Sequence, residues 1–225
     1  MPPGEFIGLA EETGLIMPIG TYVLREACRR AGQWHAAGAP GDNGDPFCIK
    51  VNLSARQFVH PDLVEVIAGI LNETSVDPAS VYLEITESVL MEDAESTVTA
   101  LRDLKALGVS LAVDDFGTGY SSLTYLKRFP VDELKVDRSF VAGLLADPED
   151  AAIVAAVVNL AHTLGLKAVA EGVESAGQLT RLRDLGCDLG QGYYFGRPMP
   201  AESMATRLGL GAASNGSPGR AEVLT

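Results

Sequence analysis

"VSLAVDDFGTGYSSLTYLKRF", residues 109–129, runs from an apolar stretch through two adjacent aspartates and a Gly-Thr-Gly turn into a segment of helical period. A short apolar run, then glycines, then 3.6-residue spacing reads as strand, turn and helix. Asp114 closes the strand and Asp115 starts the turn, where the backbone is expected to bend enough for both carboxylates to face one side instead of opposite sheet faces. Side by side the two carboxylates repel each other, so the pair calls for a positive partner.

The same unit recurs on both sides. "FCIKVN" (47–52) precedes "DLVEVIAGILNET", "VYLEIT" (81–86) precedes "AESTVTALRDLKALG", and "ELKVD" (133–137) precedes "PEDAAIVAAVVNLAHTLG". Farther on, "KAVAEG" (167–172) leads to "SAGQLTRLRDLG" and "DLGQGY" (188–193) to "AESMATRL". These are six strand-helix units. Runs without strict period-two alternation suit strands buried on both faces, and the helical segments are long enough for right-handed crossovers. The expectation is an α/β fold with a parallel sheet. Two helices, "GEFIGLAEETGLI" and "GTYVLREACRRAGQWHAAG", come before the first strand, and "APGDNGDP" loops into it. Nothing divides the chain, so residues 1–208 read as one domain; 209–225 lack periodicity and read as a disordered tail.

Composition excludes several functions. Seventeen basic residues against thirty acidic ones give a net charge of −13 over 225 residues. That is the wrong sign for nucleic acid or an anionic membrane, so neither is expected as a partner of this segment. Cys28, Cys48 and Cys187 read as reduced thiols of a cytoplasmic protein. The long apolar stretch at 151–170 is interrupted by Asn159, His162 and Lys167, too soon to span a bilayer.

In parallel α/β folds chemistry gathers where the strands end. Those positions hold Asn52, Glu84, Asp114 with Asp115, Lys135, Glu171 and Gln191. One acidic strand end is an ordinary helix cap, but capping does not favour Glu, Lys or Gln. Carboxylates converging on one mouth would be costly with Lys135 as the sole cation. Oxygen donors without His or Cys suit Mg²⁺ or Mn²⁺. His35, His60 and His162 read as surface or structural. For Lys135 the bland alternative is an ion pair to Asp115 or Asp137, and for Glu174 a cap on the helix starting near Ser175. Gly117, Gly119 and Ser121 also fit a loose phosphate-cradling turn, which two preceding carboxylates would oppose.

The motifs "VNLSARQF" (51–58), "LEITES" (83–88), "DDFGTGYSSL" (114–123), "LKVDRSFV" (134–141), "AEGVE" (170–174) and "GQGYYFGRPMP" (190–200) resemble, in order and spacing, those of the EAL-domain cyclic di-GMP phosphodiesterases. "EFIGLAEETGLI" (5–16) resembles that family's segment ahead of the first long helix. The resemblance implies a modified (β/α)8 TIM-like barrel and hydrolysis of cyclic di-GMP to linear pGpG by two Mg²⁺ or Mn²⁺ ions, in bacterial second-messenger signalling. It implies Asn52, Glu84, Asp114 and Glu171 as metal ligands, with Asp115 shared by the second ion. Lys135 would hold the attacking water, acting with Glu171. Glu174 and Gln191 would support the metals, and Glu87 would fix the loop beginning at Phe116 and Gly117. Arg56, Gln57 and Phe58 stand where they could meet a guanine or phosphate, whereas Tyr193, Tyr194 and Phe195 read as rim packing.

The resemblance also implies partners: cyclic di-GMP, a second copy in a homodimer, and an upstream sensor or GGDEF domain in a longer parent protein. The Glu-Ala-Leu triplet itself does not occur in the 225 residues. By family spacing it would fall shortly before Met1, together with about the first two strands. The expectation is therefore a barrel lacking those strands and a weakly active or inactive chain. A non-catalytic cyclic di-GMP receptor or signalling scaffold is the alternative.

Overall fold

The computed structural model describes residues 3–41, 47–92, 94–119 and 123–210. The expected disordered tail lies, beyond Leu210, outside the described residues. Two helices open the chain, α1 (Pro3–Thr13) and α2 (Ile16–Ala36). α2 stops at Gly38, which takes the left-handed backbone (φ +78°) that suits glycine just past a helix end.

Strands and helices then alternate as expected: β1 (Ile49–Leu53), α3 (Ala55–Phe58), α4 (Leu63–Thr74), β2 (Val81–Thr86), α5 (Glu87–Glu92), α6 (Ala94–Ala106) and β3 (Ser110–Phe116). After these come α7 (Leu123–Leu126), β4 (Glu133–Val136), α8 (Arg138–Gly143), α9 (Pro148–Thr163), β5 (Lys167–Ala170), α10 (Ala176–Asp184), β6 (Leu189–Gly190) and α11 (Ala201–Arg207). The sheet runs β1-β2-β3-β4-β5-β6, every neighbouring pair parallel. Strand order never reverses, so the sheet lacks the switch-point crevice of dinucleotide-binding folds. Successive right-handed crossovers then place the helices on one face, which is the arc of a barrel.

Both faces of the sheet are largely buried, as expected, but they differ in polarity. Val51, Leu53, Leu83, Ile85, Leu111, Val113, Leu134 and Val136 join the apolar core shared with the helices. Their period-two neighbours Lys50, Glu84, Asp114, Glu133 and Lys135 pair with one another instead. The strands alternate after all. The reason is that the concave face carries ion pairs where a packed barrel usually carries branched apolar side chains. Lys50 on β1 reaches Glu133 on β4 near the amino ends of the strands, and its ammonium lies 5.2 Å from the centre of the Tyr82 ring.

Caps fix the helix starts behind the strand ends. Ser54 and Gln57 form a reciprocal capping box on α3, and Ser175 and Gln178 form another on α10. Each box settles two backbone donors that would otherwise lack partners.

Candidate active site

Lys135 stands at the centre. Its Nζ lies 2.7 Å from Glu84 Oε1, 2.9 Å from Asp114 Oδ1 and 2.5 Å from Glu171 Oε1. The three carboxylates come from β2, β3 and the end of β5, far apart in sequence, and the curvature of the sheet brings them to one lysine. The Lys135 side chain is 1% exposed. The predicted alternative of an ion pair to Asp115 or Asp137 is corrected: the partners lie on three neighbouring strand ends, because Lys135 points across the concave face.

One ammonium among three carboxylates is an electrostatic deficit. Burial by itself pulls Lys135 down, but Glu84, Glu171 and Asp114 outweigh it and hold the ammonium above the ordinary lysine value. Burial pushes Glu171 above the usual carboxylate range; Lys135 opposes that while Asp114 and Glu84 add to it. Glu84 Oε1 is buried and, although 2.7 Å from Nζ, lies off any hydrogen-bonding direction. Its tie to the lysine is therefore charge alone.

Asp115 differs from the sequence reading. The strand does not end at Asp114 but continues to Phe116, with its register against β4 shifting between Val113 and Phe116. Asp115 takes a left-handed backbone, φ +55°, rare for a residue with a side chain. This kink defeats the normal alternation of a strand. Carboxylate oxygens of Asp114, Asp115 and Glu171 consequently lie within 4.8 Å of one another. Asp115 is raised by burial and by the facing charges of Asp114 and Asp137. Asp137 also caps α8 through the Ser139 amide at 2.9 Å. Sequence reasoning did not assign Asp137 to the site, yet it stands two residues after Lys135, on the same face of the strand line.

Glu87 begins α5 and is buried; its Oε2 accepts the Gly117 amide at 3.0 Å. Gly117 holds φ +98°, and a Cβ there would come 3.2 Å from the Phe140 ring. The loop that starts at the buried Phe116 is thus tied to Glu87, with its continuation over 120–122 outside the described residues. Gln191 donates to Glu171 Oε1 at 3.2 Å. The cap of α10 is Ser175, and Glu174 contributes only its backbone amide to Gln178, at 2.8 Å. The bland reading of Glu174 as a cap is therefore corrected, and its side chain is exposed.

Asn52 sits beside Glu84 in the β1–β2 register, exposed on the outermost strand. Arg56 projects to solvent from α3, whereas Gln57 and Phe58 are buried. Tyr193 is 52% exposed, with the Arg197 guanidinium 4.8 Å from its ring. His35 contacts the Phe47 carbonyl, His162 lies 2.9 Å from Asp188, and His60 is exposed. A cavity of about 370 Å³ lined by Tyr22, Arg25, Arg29 and Glu73 lies between α2 and α4, in the helix layer and away from the carboxylates.

A parallel half-barrel whose concave face ends in a lysine-centred carboxylate cluster places the chain among barrel proteins with an acidic site at the carboxyl edge. The EAL domain model matches residues 1–198, and the chain belongs to the EAL domain family. It is 51% identical over 202 residues, 90% of its own length, to the bifunctional diguanylate cyclase/cyclic di-GMP phosphodiesterase MucR of Pseudomonas aeruginosa. It is 43% identical to the cyclic di-GMP phosphodiesterase NbdA of the same organism over 90% of its length. The chain spans 29% and 25% of those two proteins. Among solved structures it is similar to the MucR phosphodiesterase in complex with c-di-GMP, at 50% identity and a TM-score of 0.86, covering 91% of this chain and 81% of that one. The EAL domain of Mycobacterium smegmatis DcpA follows at 44% identity and a TM-score of 0.80, covering 88% and 86%.

Proposed function

We propose that the chain carries the site of a cyclic di-GMP phosphodiesterase, cleaving one phosphodiester bond of cyclic di-GMP to give linear pGpG. The observation that carries this reading is the left-handed Asp115, which turns two adjacent carboxylates toward Glu171. The donor set fits divalent cations: oxygen ligands, no His or Cys among them, and a buried Glu84 oxygen without a directed donor. Asn52, Glu84, Asp114 and Glu171 would hold one ion and Asp115 would share the second. Bound there, Mg²⁺ or Mn²⁺ supplies Lewis acidity toward the phosphate oxygens and lowers the pKa of a water.

The chain's own residues do the rest. Lys135, its ammonium 2.5–2.9 Å from Glu84, Asp114 and Glu171, orients a water near the cluster; Glu171, its proton affinity raised by burial, accepts the proton. Gln191 keeps Glu171 aimed, and Glu174 supports the metal side. Glu87 holds the 116–119 turn so that Asp115 keeps its kink. Arg56 offers an exposed guanidinium for a phosphate or guanine. A cytoplasmic location agrees with Cys28, Cys48 and Cys187 being thiols and not disulfides, and a homodimer or an upstream GGDEF or sensor domain belongs to the same proposal.

Among the described residues Asn52 lies on an edge strand with no neighbour on its far side, so the 225-residue chain should bind metal weakly and turn over slowly. Incubation with cyclic di-GMP and Mg²⁺ or Mn²⁺, with pGpG resolved by chromatography, tests the reading. Slow, metal-dependent pGpG release that Asp114→Asn abolishes is expected. Metal-independent nucleotide binding with no pGpG would favour the receptor reading.

A further inference from the structure

We propose that Lys135 is a positioning residue in its own right: its ammonium is the resident counterion that keeps Glu84, Asp114 and Glu171 converged when no divalent ion is bound, and a divalent ion takes over that charge when it binds. An ammonium has three donors, and here three carboxylates from three strand ends approach it at 2.5–2.9 Å. The lysine touches one oxygen of each group, Glu84 Oε1, Asp114 Oδ1 and Glu171 Oε1.

The arms differ in strength. Asp114 Oδ1 is also steadied by the Asp115 amide at 3.0 Å, and Glu171 Oε1 by Gln191 at 3.2 Å. Glu84 Oε1 has neither a directed donor nor solvent, so its hold on the lysine is charge alone. Glu84 is therefore the arm that changes partner when an ion arrives. Without the ammonium, three carboxylates would face one another with little water between them, which a folded chain tolerates poorly. The exchange rests on reading the carboxylates as a metal site, while the counterion role does not.

Thermal unfolding of the 225-residue chain in chelator and in Mn²⁺ decides it. Lys135→Met in chelator should lose about 10 °C in Tm, the usual scale for stranding buried charge in a chain this long. Mn²⁺ should restore most of that loss while moving the unsubstituted chain much less, and Lys135→Arg should stay close to the unsubstituted chain. Adding Glu84→Gln to Lys135→Met removes one repelling charge and should recover part of the Tm, or the fold itself if the single variant does not fold. A Lys135→Met chain as stable in chelator as the unsubstituted one, or no recovery from Glu84→Gln, would overturn the proposal. Calorimetry of Mn²⁺ with the unsubstituted chain separates the two readings: no binding overturns the metal site, and the chelator comparison still decides the counterion role.

Discussion

Asp115 combines a side chain with a left-handed backbone, and the two requirements can be separated by substitution. Asn tolerates that backbone far better than other non-glycine residues. Asp115→Asn should therefore melt within about 1 kcal/mol of the parent while turnover falls by about 100-fold or more, since even supporting groups around a metal are worth 10–100-fold. Asp115→Ala should lose turnover and a further ~1–2 kcal/mol of stability, because alanine strains in the left-handed region. Denaturant titration beside pGpG assays checks both. Gly117→Ala should cost about 1–3 kcal/mol from its φ of +98°, with the added Cβ pressing on Phe140. It should also lower turnover, because the Gly117 amide is the link to Glu87. The candidate residues were legible as types at strand ends. The bend that turns both carboxylates to one side was expected from Asp115 starting the turn; its left-handed backbone within the strand was not, because such a backbone at a non-glycine residue is imposed by the surrounding structure and leaves no local mark in sequence.

At the scale of elements, α2 and α3 meet at Gly20, where a larger residue would have to displace the Gln57 side chain. A Cβ on Gly20 would fall 2.1 Å from Gln57 Nε2. Gln57 is the residue whose Oε1 takes the Ser54 amide at 3.3 Å and completes the cap of α3. Gly20→Ala should push the Gln57 side chain aside, break the capping box and loosen the turn that presents Arg56, at a cost of about 1–3 kcal/mol. Hydrogen exchange of the Gln57 amide should quicken while that of β3 stays unchanged. The strand-helix alternation was legible because each unit carries its own turn residues and period. The polarity of the concave face was missed although "ELKVD" alternates in plain view, since Glu, Lys and Asp at successive inward positions look like a solvated edge until the curvature of the sheet buries them. Asp137 was passed over for the same reason. The convergence of strand ends on one mouth with Lys135 as its cation was expected from the unit spacing; that the lysine touches Glu84, Asp114 and Glu171 in particular depends on the curvature.

For the molecule as a whole, the cluster makes stability depend on pH in an unusual direction. Asp115 and Glu171 are raised, so just above the ordinary carboxylate range the folded chain binds more protons than the unfolded one. Stability attached to them is present at lower pH and lost as pH rises through their raised values. Lys135 is also raised, so its contribution persists below the ordinary lysine value of 10.5 and is lost only beyond it. With a net charge of −13, mild acidification also relieves general self-repulsion. Melting curves in chelator should therefore show Tm rising as pH is lowered toward the top of the ordinary carboxylate range, and Mn²⁺ should flatten that slope. The charged line Glu133-Lys135-Asp137 has one more effect, on folding. A slip of β4 by a single residue would drive those charges into the oily helix layer and turn Leu134 and Val136 toward the ions. An apolar interior tolerates some misregistration, but lysine-carboxylate contacts accept one alignment, so β4 works as the key that sets the register of its neighbours.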